Sequence, residues 1–174
     1  MSIRLKIAIL LLATIMVGIS GCERDDICAA ATPTTPLLII RFYDADEPSE
    51  FKEPIDFAVS TALEDGTIDT TAYASDSIAI PLRTQLDLTS FNFILNISNP
   101  VDDPELTPPN TDVLNISYTR TEDYISKACG FRITYDMLNR QILPGDDNDG
   151  WIQDVIIDET SLTEQTNAHI RIFH

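Results

Sequence analysis

The sequence predicts an all-β protein, an immunoglobulin-like or Greek-key antiparallel β-sandwich of about seven to eight strands, with a small β-barrel as the alternative. Three observations predict it. Apolar residues recur with a period of two in short segments, and turn-forming residues separate those segments at short intervals. No stretch after the amino-terminal apolar run carries a 3.6-residue period long enough for an amphipathic helix.

The first segment, Leu37 to Tyr43, is an apolar run suited to a strand covered on both faces. From Ile55 to Leu63, Ile55, Phe57, Val59 and Leu63 share one parity while Asp56, Ser60 and Glu64 share the other, and Asp65-Gly66 ends the strand with a turn. Ile78, Ile80 and Leu82 alternate with Ser77, Ala79 and Arg83; Pro81 has no backbone donor and marks a strand end or edge. Phe91, Phe93, Leu95 and Ile97 alternate with Asn92 and Asn96, and Asn99-Pro100 opens a proline-rich surface loop over 99–112. Leu114, Ile116 and Tyr118 form the next strand, and Phe131, Ile133 and Tyr135 the one after Cys129 and Gly130. Trp151 to Ile157 and Ala168 to Phe173 supply the last two. Strands of a membrane barrel need about 9–11 residues and aromatic girdles, and these segments read as shorter, which favours the sandwich.

Before the strands lies a targeting segment. Arg4 and Lys6 precede an uncharged apolar run from Ile7 to Ile19, and Ile19-Ser20-Gly21-Cys22 resembles the lipobox of bacterial lipoproteins. The run is shorter than the roughly 20 apolar residues that span a bilayer, so residues 1–21 read as a cleaved signal peptide. The mature chain is expected to begin at a lipidated Cys22, continue as a tether over 22–36 and form one β-sandwich domain over 37–174. The membrane is thus a partner, through lipid on Cys22, and the expected location is the cell outer membrane, on its periplasmic or its outer surface. Arg24-Asp25-Asp26 resembles the export signal of surface lipoproteins in the Bacteroidota, while its charge equally suits a solvated tether. Both readings stay open.

The formal net charge is −17, and removing 1–21 takes away two cations and no acid. Nucleic acid is excluded as a partner, because phosphate binding uses clustered Lys and Arg. With Cys22 carrying lipid, Cys28 and Cys129 are the remaining cysteines, and in an oxidising compartment they are expected to pair.

Gly145-Asp146-Asp147-Asn148-Asp149-Gly150 is the densest collection of oxygen ligands. An EF-hand register fails, since the needed acids fall on Gly145 and Ile156. Asp, Asn and Gly also dominate ordinary turns, so the segment is read as a turn, with a loose calcium site at Asp146, Asp147 and Asp149 as the alternative. His169 and His174 fall on opposite faces of a strand and cannot easily share a metal or serve one catalytic serine. No nucleophile elbow, HExxH, P-loop or Rossmann fingerprint occurs, so the chain is read as non-enzymatic and without cofactor. Asp69-Thr70-Thr71 and Asp76-Ser77-Ile78 resemble the O-glycosylation sequon of exported Bacteroidota proteins, which makes Thr70 and Ser77 candidate glycosylation sites.

Together CERDDIC, TPTTPLLIIRFYD and KACGF resemble a family of small lipoproteins of unknown function from the Bacteroidota. The resemblance supports the location and the cysteine pairing and implies no activity. The expected role is a binding or accessory module of the envelope, acting on an envelope protein or glycan. The alternatives are a structural or adhesin-type subunit using strand-edge addition, and a hydrolase of envelope polymers.

Overall fold

A computed structural model describes residues 27–100, 105–145 and 149–174. The signal segment, Cys22, Arg24-Asp25-Asp26, Asp146 and Asp147 lie outside the described residues. The described chain is all-β, with nine strands: β1 (Leu38–Tyr43), β2 (Phe57–Ala62), β3 (Ile68–Tyr73), β4 (Ser77–Ile80), β5 (Leu88–Leu95), β6 (Asn110–Ser126), β7 (Gly130–Leu143), β8 (Asp154–Ile157) and β9 (Ile170–Phe173). They form a four-stranded sheet in the order β4-β1-β9-β8 and a five-stranded sheet in the order β3-β2-β5-β6-β7. Among the described residues the two sheets stay separate and close into no barrel.

The chain divides into two compact units. The larger, residues 34–123 with 132–174, is the sandwich. Its core is built from alternate residues of both sheets: Leu38, Ile40 and Phe42 of β1 with Ile170 and Ile172 of β9 on one side, Phe57, Phe91, Phe93, Leu114 and Ile116 on the other. In β1, β5 and the first half of β6 the core face alternates with the period of two read from the sequence. The smaller unit, residues 1–33 with 124–131, contains the end of the β6–β7 hairpin. There Lys127, Ala128 and Cys129 form the loop, Cys129 N–H donates to Ser126 Oγ at 3.1 Å, and Gly130 adopts φ 71°. That left-handed position closes a three-residue hairpin and favours glycine.

Four features depart from the sequence expectation. β1 and β9 pair in parallel, Ile40 opposite Ile170 and Arg41 opposite Arg171, whereas an antiparallel sandwich was expected. The first and last strands lie side by side with most of the sandwich between them in sequence, long enough for the crossover that parallel pairing requires. β1 is covered on one face and half-covered on the other, instead of equally on both. β3 has no counterpart in the periodicity, because it is exposed nearly throughout and so carries no alternation. β6 and β7 run to 17 and 14 residues, well beyond Leu114–Tyr118 and Phe131–Tyr135. Within β7, Met137 adopts φ 56°, and the buried positions Tyr135 and Leu138 on either side lie three apart, the signature of a bulge that shifts parity by one.

Candidate functional site

The core face of β1 faces inward, so its alternate residues Ile39, Arg41 and Tyr43 lie on the outer face of the four-stranded sheet. Register places Arg41 opposite Ser77 of β4 and, across β1–β9, opposite Arg171. Tyr43 lies opposite Phe173 in the next row, their rings stacked at 5.5 Å. Phe51 joins them through a bridge to Tyr43, ring to ring at 5.0 Å. One sheet face thus carries two adjacent arginines rimmed by three aromatic rings.

The two arginines differ. Arg171 is held by Asp158 in a fork, Nε donating to Oδ2 and Nη2 to Oδ1, each at 2.7 Å. That carboxylate raises the pKa of the Arg171 guanidinium. Arg41 makes no ion pair among the described residues; its guanidinium carbon lies 4.7 Å above the Phe51 ring, and its buried Nε has no hydrogen-bond partner. A cation over an aromatic face gains roughly 0.5–1 kcal/mol at an exposed site, which holds the group in place without using its donors. Arg83 is a useful contrast, because its guanidinium is consumed at the end of β2 by the carbonyls of Ala62 and Leu63 at 2.9–3.1 Å. Arg120, Arg132, Arg140 and Lys52 face carboxylates. Among the described residues Arg41 therefore keeps its guanidinium over a ring and outside any ion pair, in a chain of net charge −17.

The residues singled out from the sequence fall as follows. Cys28 and Cys129 are joined, with 4.9 Å between their Cα atoms. Ser77 sits in the row of Arg41 and is half-buried, its N–H donating to Ser75 Oγ at 3.1 Å. Thr70 is exposed on β3, opposite Ser60. Asp149 is exposed, and its carbonyl accepts a bond from Asn110 Nδ2 at 2.7 Å. Sequence reasoning passed over Arg41 and Arg171. The available signal was Arg41 itself, a charge in the middle of LLIIRFY, where an interior strand has no use for one.

Both histidines are structural. Ile39 N–H donates to His169 Nδ1 at 3.1 Å and His169 Nε2 lies 3.1 Å from the Glu164 carbonyl, so the neutral ring with its proton on Nε2 satisfies both contacts. His174 Nε2 bonds the Lys52 carbonyl at 3.1 Å, and its ring packs edge-on to Phe42 and Trp151. Burial lowers both pKa values below the ordinary 6.5. The unfolded chain then binds protons more readily than the folded one, so stability is complete above that value and falls as pH drops through it towards the lower folded pKa. We expect the melting temperature to decline between about pH 7 and pH 5, above the range in which ordinary carboxylates titrate. A flat profile over that window would contradict burial of the two rings in neutral form.

Residues 57–174 match the family of unknown function DUF6452, more than half of the chain. The chain belongs to that family. No curated protein and no solved structure matches it. Within the outer-face cluster, Ser77, Asp158, Arg171 and Phe173 fall inside the DUF6452 segment, whereas Arg41, Tyr43 and Phe51 precede it.

Proposed function

We propose that this DUF6452 protein is a non-enzymatic binding module of the bacterial envelope, anchored to the outer membrane by lipid on Cys22, whose outer β1–β9 face takes an anionic group of an envelope protein or glycan. The observation that carries the binding role is Arg41, in register with Arg171 and without an ion pair among the described residues. Like charges on neighbouring strand positions oppose one another, and Asp158 offsets only one of the two. A carboxylate or sulfate above Arg41 would offset the other through two parallel hydrogen bonds, a geometry the guanidinium presents and a lysine does not. Tyr43 and Phe51 supply apolar surface for the body of such a ligand. The Cys28–Cys129 bridge supports export, because such bonds persist in oxidising compartments.

Strand addition is a second reading, supported by β3. Among the described residues it pairs only with β2, which leaves its outer backbone edge open, and Ile68 there is 67% exposed.

Two measurements test the first reading. Cys22→Ala should move the protein from the membrane fraction to the soluble one; retention in the membrane would refute the anchor. Acidic oligosaccharides and acidic peptides, with neutral ones as controls, should bind the wild type in a salt-sensitive way. Arg41→Ala should weaken binding at least about tenfold, equivalent to roughly 1.4 kcal/mol, and Arg41→Lys should restore only part. Equal affinity of wild type and Arg41→Ala would remove the assigned face.

A further inference from the structure

We propose that the end of the β6–β7 hairpin rests on the lipid bilayer itself, with Tyr124 and Phe131 seated at the headgroup level. The inference relies on the lipid anchor proposed above and adds an orientation and a contact surface to it. Cys22 precedes Cys28 by about six residues, which span at most about 20 Å when fully extended. Cys28 is covalently joined to Cys129 in the hairpin loop. An acyl group on Cys22 therefore keeps that loop within roughly half a bilayer thickness of the membrane surface, whatever path the tether takes.

What the hairpin presents there is apolar and aromatic. Tyr124 of β6 is 60% exposed and Phe131 of β7 is 64% exposed, their rings edge to face at 5.2 Å. Ile27, one residue before the bridge, is 84% exposed. All three belong to the same small unit, together with the exposed cation Lys127 in the loop. A tyrosine ring with its polar tip favours the membrane interface, the phenyl ring packed against it adds apolar surface, and a lysine beside them can reach phosphate oxygens. A contact of two rings is weak as a free association. The anchor makes it intramolecular, and the resulting effective concentration populates contacts that free protein would not form. The paired rings also brace one another, so little side-chain freedom is lost on docking.

The test uses full-length acylated protein reconstituted in phosphatidylethanolamine and phosphatidylglycerol vesicles, with and without bromine on the acyl chains. Trp151 is the sole native tryptophan, so the parent protein serves as blank for Phe131→Trp. The introduced indole should emit at shorter wavelength on vesicles than in detergent-free buffer, and should lose most of its added intensity in brominated vesicles. Tyr124→Trp should behave alike and guards against a folding defect of the first variant. Mass spectrometry of the same preparation reports Cys22. Acylated protein with an unquenched indole at both positions overturns the hairpin contact and leaves the anchor standing; an unmodified Cys22 overturns both.

Discussion

Reducing the Cys28–Cys129 bridge is expected to lower the unfolding free energy by about 4–5 kcal/mol. The two cysteines are 101 residues apart in sequence, so the bond closes a loop containing all of β1 to β6. In the chain-entropy account a loop near 100 residues removes roughly 4.7 kcal/mol of freedom from the unfolded ensemble. Domains are stable by only about 5–15 kcal/mol in total, so the loss should be large enough to see directly in denaturation midpoints. Native strand content should survive reduction under mild conditions, since the penalty falls on the unfolded state. Urea unfolding with and without reductant, and of a Cys28→Ser, Cys129→Ser double variant, measures it. A difference below about 1 kcal/mol would mean that the unfolded chain is held compact by other means.

The sandwich was legible wherever a strand buries one face and wets the other. Phe91, Phe93 and Ile116 carry that alternation openly, and the structure buries all three. Legibility failed where burial is absent or changes partner. β3 is exposed at all positions but Tyr73, so nothing in Ile68 to Ala72 marks a side. The left-handed Met137 breaks the parity of β7, and a fixed period stops describing the strand at that point. The parallel pairing of β1 with β9 is a contact between chain ends, for which local pattern holds no information. The candidate site was hidden for a related reason: Arg41 and Arg171 are 130 positions apart in sequence, and only that pairing makes them neighbours. The cysteine pair, by contrast, followed from chemistry that needs no register.

Phe42→Ala should cost about 3–5 kcal/mol, the range for deleting a fully buried aromatic ring. Phe42 is 0% exposed and sits where the two sheets meet, edge-on to Phe57 at 5.3 Å and to Phe93 at 6.5 Å. His174 closes the third side at 6.1 Å. The backbone there is held independently of the ring, Phe42 N–H donating to the Asp76 carbonyl at 2.8 Å and its carbonyl accepting from Lys52 N–H at 3.2 Å. Alanine would therefore keep the strand and leave a cavity, with neighbours on rigid strands unable to collapse fully into it. Urea midpoints should fall while the slope with denaturant stays unchanged, which separates lost stability from a changed unfolded state. Phe42→Leu keeps part of the volume and should cost less. Pairing it with Phe57→Leu should reveal a coupling of about 0.5–1.5 kcal/mol, the edge-to-face contribution beyond area. A cost under about 1 kcal/mol for Phe42→Ala would contradict a tightly packed core at this position, because a void of that size cannot be left so cheaply between two sheets.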